Sequence, residues 1–143
     1  MVDGDLVYEK VNNIQNCLKR IRDVTHLDPQ SLDNIDVQDI FTLNLQRAVQ
    51  STIDLASHVV AAEGLGLPED LKENFTLLTK SKIISAECTQ HMVRMVGFRN
   101  IAVHEYQDLD VRVLKSILEH NLRDLETFYS AILQHFHLVE PLT

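Results

Sequence analysis

Tryptophan is absent from this sequence, glycine occurs four times, proline three times and cysteine twice, and aromatic residues make up only 6% of the chain. Each shortage excludes something. With so few aromatics, and none interleaved with basic residues, there is no stacking platform for bases. Cys17 and Cys88 sit inside apolar patterns with no second thiol near either, so neither a disulfide frame nor a zinc site is expected. They read as reduced, buried thiols. No run of 18 apolar residues offers a membrane span. The N-terminus lacks the basic-then-apolar layout of a signal peptide, so the expected location is the cytoplasm. Glycine-rich phosphate loops, His-Glu-x-x-His and serine or cysteine nucleophile motifs are all missing, and no cofactor or metal is expected. No internal repeat interrupts the 143 residues, a length that suits one domain over residues 1–143.

What the sequence does have is acid, unevenly placed. The net charge is −8, which argues against a general nucleic-acid binder. Residues 1–40 hold eight acids against four bases, whereas residues 80–99 hold Lys80, Lys82, Arg94 and Arg99 against Glu87 alone. Any RNA contact should therefore be local and lie in that second region. The overall sign suits a chain that docks on a protein partner equally well.

The chain also has long helical periodicity. Val7, Val11, Ile14, Leu18, Ile21 and Val24 step by four and three, which predicts a first helix ending near Leu27. A second is expected from a cap at Asp36 to the stop at Gly64-Leu65-Gly66, with Leu45, Val49, Leu55 and Val59 inward. Pro68, followed by Glu69 and Asp70, should open a short third helix through Phe75 and Leu78. A fourth is expected from about Ser81, with Ile84, Cys88, Met92 and Met95 inward, and a fifth from Val111 through Ile132. No segment alternates with period two over a strand's length. The fold class is all-α, an up-and-down bundle of four to five helices.

Within the fourth segment lies Gly97-Phe98-Arg99-Asn100-Ile101-Ala102-Val103-His104-Glu105-Tyr106. Arginine and histidine together can cleave RNA without metal. Histidine, with an ordinary pKa near ~6.5, takes a proton from the ribose 2′-hydroxyl or gives one to the leaving 5′-oxygen. Arginine stays charged and holds phosphate oxygens as negative charge grows. The spacing alone proves little. With seven arginines, seven histidines and four to six residues allowed between them, about one such pair arises by chance, and Arg20-x5-His26 is a second match. There the reading is plain: basic residues in a last helical turn complement the dipole. Five residues along one helix also rotate the side chain by roughly 140°, so Arg99 and His104 should not share a face. Either the helix loosens between them, or each pairs with its counterpart across a symmetric dimer.

The full string through Tyr106 resembles the signature of the HepT-like toxins of the HEPN superfamily. The likeness extends over most of the chain: Gln46 to His58 resembles that family's second helix, and Val111 to Phe128 its last. The resemblance implies a HEPN-type bundle that forms a homodimer, with the Arg-x4-His motifs of both chains building one composite ribonuclease site. It further implies a partner, an antitoxin with a minimal nucleotidyltransferase domain, which transfers AMP onto a tyrosine at the position of Tyr106 and so blocks the site. The residues themselves leave two other readings open, a helical module that mainly binds such a nucleotidyltransferase and a purely structural subunit.

Other polar residues fit around this core. Asn100 could hydrogen-bond a phosphate or orient His104. Asp54 and His58, four apart on the second helix, share a face but lack a third metal ligand. With Arg47 they are candidates to line the cleft and orient the motif. Arg94 and Lys82 could extend a cationic path for RNA, while His135 and His137 read as solvated tail residues.

Overall fold

The computed structural model describes residues 1–105 and 109–140. Six α-helices follow one another: α1 (Gly4–Thr25), α2 (Ile35–Ala62), α3 (Glu73–Lys80), α4 (Ala86–His104), α5 (Val111–His120) and α6 (Leu122–His135). A short 3₁₀ turn, Pro29–Asp33, joins α1 to α2. Among the described residues there is no strand, so the bundle is all-α as its periodicity predicts. No described helix is long and apolar enough to cross a membrane.

Caps explain most boundaries. Asp3 begins α1, its carboxylate accepting from the backbone N–H groups of Asp5 and Leu6. The cap of α2 is Asn34 rather than the expected Asp36: the Asn34 side chain accepts from the N–H groups of Asp36 and Val37 at 2.9 and 3.3 Å. Asp36 instead lies in the first turn, where its charge faces the positive end of the dipole. At the far end Gly64, with φ of 64°, lets Leu65 N–H reach the Val60 carbonyl and its own N–H reach Ala61. This is the Schellman closure that a left-handed residue permits. Lys82 (φ 62°) closes α3 in the same way, with Ile83 N–H bonded to the Leu78 carbonyl. For that reason α4 does not begin near Ser81; it begins at Ala86, capped by Ser85 Oγ accepting from Cys88 N–H at 3.0 Å.

Two further expectations change. Pro68 stands outside α3, whose entry is organised by Asp70 and Glu73. The Asp70 carboxylate accepts from Glu73 N–H at 2.8 Å, and Glu73 reaches back to Glu69 N–H at 3.3 Å. The segment expected as one fifth helix is two, broken at Asn121. The Asn121 side chain donates to Asp124 Oδ2 at 3.0 Å, and α5 turns onto the 3₁₀ segment, where Lys115 pairs with Asp33 at 2.7 Å.

The apolar stripes meet in one core. Val7, Val11, Ile14, Leu18 and Ile21 of α1 pack with Leu45, Val49, Leu55 and Val59 of α2, all essentially excluded from water. Phe75 and Phe128 meet edge to face with ring centroids 5.4 Å apart, locking α3 to α6. Burying each such ring stabilises by about 1.5–3 kcal/mol relative to leaving it exposed. Cys88, Met92 and Met95 belong to this core too, so one side of α4 is fixed against α2, α3 and α6.

Candidate active site

Helix α4 carries the motif, and it is continuous through His104. The helix therefore does not loosen between Arg99 and His104, and the rotation of roughly 140° between them stands. Arg99 is half-buried on the side of α4 that packs on α2, whereas His104 is the last helical residue and is exposed.

A relay of polar side chains holds Arg99. Its Nε donates to Gln50 Oε1 at 3.1 Å, and its Nη1 donates to Asn100 Oδ1 at 3.1 Å. Gln50 in turn donates through Nε2 to Asp54 Oδ1 at 2.9 Å, and Asp54 Oδ2 lies 3.6 Å from Lys10 Nζ on α1. The order has a physical logic. An amide has an acceptor end and a donor end, so the Asp54 carboxylate fixes the donor end and leaves the oxygen for the guanidinium. Two of the five guanidinium N–H groups are thereby occupied; among the described residues no other hydrogen bond engages the remaining edge, whose geometry suits a phosphate.

The expected site residues fall into place unevenly. Asp54 acts on Arg99 through Gln50, a residue that the sequence reading did not single out. Its signal was available: Gln50 lies four residues before Asp54, one helical turn on the same face. Asn100 binds Arg99 rather than His104. His58 accepts at Nε2 from Asp3 N–H at 2.9 Å, so it ties the start of α1 to α2. Arg47 makes no hydrogen bond or ion pair with another described residue; it lines a groove between α1 and α2 that also includes Gln50. Tyr106 lies outside the described residues. Among the described residues no group of three or more His, Cys, Asp or Glu side chains is arranged to hold a metal ion.

The expected cationic stretch over residues 80–99 does not form a single surface. Lys80 and Lys82 sit at the turn before α4, about 20 Å of helix away from Arg99. Arg94 points to the other side, into an apolar cavity of about 800 Å³ between α4 and α5. Phe98, Ile101 and Val113 line that cavity as well, and Ile101 and Val113 are 44% and 49% exposed. At its rim Asp110 caps α5 and grips Arg112 through both carboxylate oxygens, which holds the Asp110 carboxyl below its ordinary range. Deeper in, His91 Nδ1 lies 3.3 Å from Asp124 Oδ1, joining α4 to α6. The neighbouring Cys88 thiol is pushed up to about 11, first by burial and then by the Asp124 and Glu87 charges. That is the mark of an inert core thiol.

An all-helical bundle with an arginine held five residues before an exposed histidine defines a class, and comparison with known proteins identifies it. The profile of the ribonuclease HepT-like family matches residues 14–132, so the chain belongs to that family and is of the ribonuclease class. It is 36% identical over 129 residues to the mRNA nuclease HepT of Shewanella oneidensis, covering 90% of this chain and 97% of that one. A tRNA nuclease HepT of Aphanizomenon flos-aquae is 32% identical over 79 residues, covering 55% of this chain and 54% of its own length. Among solved structures, a tri-AMPylated HEPN toxin of Shewanella oneidensis in complex with an MNT antitoxin superposes with a TM-score of 0.86. That pair shares 34% identity over 92% of this chain and 99% of the other. The HEPN-type bundle expected from the sequence is thus the observed fold.

Proposed function

We propose that this protein is the toxin of a toxin–antitoxin pair, a metal-independent endoribonuclease in which Arg99 and His104 act on RNA across a homodimer. The observation that carries the reading is the relay on Arg99. A guanidinium fixed by Gln50 and Asn100, with its outer edge free, is preorganised for a phosphate whose charge grows in the transition state. His104, exposed at the end of the same helix, supplies the proton transfers. One His104 takes the proton of the ribose 2′-hydroxyl as the 2′-oxygen bonds to phosphorus. The P–O5′ bond then breaks, and the leaving oxygen takes a proton from that same His104, protonated by the first transfer. The products are a cyclic 2′,3′-phosphate and a free 5′-hydroxyl, with no protein nucleophile.

The same geometry supports a dimer. Side chains rotated by roughly 140° on a continuous helix converge most simply when two copies of α4 face each other about a twofold axis. The exposed Ile101 and Val113 beside the α4–α5 cavity supply apolar surface for such a contact. The relatives named above add control: the Shewanella toxin is AMPylated and bound by its antitoxin. We infer the same kind of partner here, a nucleotidyltransferase that adds AMP to Tyr106. The phenol is two residues from His104, so an added AMP would bring charge and bulk to the position of a substrate phosphate.

Purified protein incubated with RNA in EDTA tests the chemistry. Cleavage with cyclic-phosphate ends should fall 10²–10⁴-fold in Arg99→Ala and in His104→Ala, of the order that one acid–base or charge-stabilising group supplies. Equal cleavage by all three proteins would refute the assignment. Mass spectrometry of the chain co-expressed with its neighbouring nucleotidyltransferase should find AMP on Tyr106; an unmodified tyrosine with toxicity relieved would assign neutralisation to binding alone.

A further inference from the structure

The groove between α1 and α2 is unusual for so acidic a chain. It encloses about 420 Å³, is lined by Arg20 and Arg47 together with amide side chains such as Asn16, Asn44 and Gln50, and has no carboxylate among its lining residues. The whole protein carries a net charge of −8, so an acid-free groove with two arginines is a local reversal of sign. Neither arginine makes an ion pair or hydrogen bond with another described residue, although elsewhere Arg22 and Arg112 each hold a carboxylate. The Cys17 thiol also lines the groove; burial pushes it up, and the Arg47 and Arg20 charges oppose that shift from either side of the groove.

A second observation points inward. Ser51 lines the same groove, and its hydroxyl makes no hydrogen bond with another described residue. Gln50 then connects the groove to the catalytic arginine, since one carboxamide both lines the groove and accepts from Arg99 Nε. Paired cations, amides able to bond ribose hydroxyls or base edges, and an open hydroxyl are the groups that single-stranded RNA requires.

We infer that the α1–α2 groove is an RNA subsite, in which Arg20 and Arg47 hold the phosphate of a nucleotide neighbouring the one that reacts at Arg99. The inference rests on the ribonuclease reading and adds a path for the strand, along α2 from Arg99 past Gln50 to Arg47 and Arg20. It assigns phosphate binding to an arginine that the sequence reading treated as a dipole complement, and to one treated as a supporting residue.

The test uses the full chain and a 2′-O-methyl RNA oligonucleotide, which binds but cannot be cleaved. Fluorescence anisotropy gives its affinity over a range of salt concentrations for wild type, Arg20→Ala, Arg47→Ala, the double variant, and Lys19→Ala as an off-groove control. Affinity should fall roughly tenfold per arginine, and the slope of log K against log salt should drop by about 0.7, one phosphate contact, in the double variant. Lys19→Ala should match wild type. With cleavable RNA, the double variant should show a raised KM and a kcat near that of wild type, a split that a folding defect would not produce. Unchanged affinity and salt slope in the double variant, with wild type binding and cutting RNA, would overturn the groove and leave the ribonuclease reading intact. Unchanged RNA affinity with an altered oligomeric state would overturn it in favour of a protein interface. If wild type neither binds nor cuts RNA, both readings fall together.

Discussion

The two sides of α4 are built on opposite principles. Toward α2 the helix presents Arg99 into a polar relay, Arg99 to Gln50 to Asp54 to Lys10, in which each group's orientation is set by the next. Toward α5 it presents Phe98, Ile101 and Arg94 to a broad, mostly apolar cavity with exposed aliphatic side chains at its edge. The first side is ordered within one chain, by hydrogen bonds that run from Arg99 through Gln50 to Asp54. The second leaves apolar surface uncovered. The difference teaches where the chain's own fold prepares the chemistry and where it leaves work for another surface: the guanidinium is positioned internally, while His104 stands exposed at the helix end.

The comparison breaks most sharply on the apolar side. Val113→Asp places a charge on the α5 edge of the cavity, away from the relay. It should convert the proposed dimer to a monomer in light scattering and take RNA cleavage to near background, with helicity by circular dichroism retained. A monomeric variant with undiminished cleavage would show that the apolar side has no part in the reaction.

The polar side should respond more gently. Gln50→Ala leaves Arg99 with its Asn100 contact but without its link to α2, and kcat should fall about tenfold, the scale of one charge-assisted hydrogen bond. Asp54→Asn should cost less, because an amide can still accept from Gln50 but no longer dictates which end of that side chain faces Arg99. Equal kcat in wild type and Gln50→Ala would reduce the relay to a packing feature.

The smallest effect concerns the buried start of α4. The Cys88 thiol is held up to about 11, above its ordinary 9.0. For an acid whose folded state keeps its proton longer, the unfolded chain releases that proton first as pH rises. Stability is therefore full below about pH 9 and declines between pH 9 and 11. Removing the thiol should flatten that decline: Tm of Cys88→Ala should change less than that of wild type across this window, by a few degrees at most. Parallel Tm–pH curves would contradict the assignment.

Much of the fold was legible because periodicity reports burial. The α1 stripe from Val7 to Ile21 and the α2 stripe from Leu45 to Val59 are buried as the spacing requires. Helix ends were less legible, since neighbouring candidates compete. Asn34 displaced Asp36 as a cap by two residues, and Lys82 adopted a left-handed turn for which its side chain gives no sequence signal. The break at Asn121 was hidden by an apolar pattern that runs through it without a change of phase. Within the site, the motif was visible as a string, but the relay that holds it was not. Its key member, Gln50, comes from another helix, and contacts over 49 residues of separation leave no trace in local spacing. Arg20 shows the reverse: an end-of-helix explanation sufficed for it in sequence, whereas in space it faces Arg47 across a groove.

The central claim is that Arg99 of one chain works with His104 of another. Co-expressing Arg99→Ala and His104→Ala chains with different affinity tags, and isolating the mixed dimer through both tags, tests it directly. Each homodimer should be inactive. The mixed dimer keeps one intact Arg99 and one intact His104 on opposite chains, so it should recover a substantial fraction of wild-type cleavage, about half if the two pairs act independently. A mixed dimer as inactive as its parents, beside an active wild-type dimer, would contradict a site shared in this way.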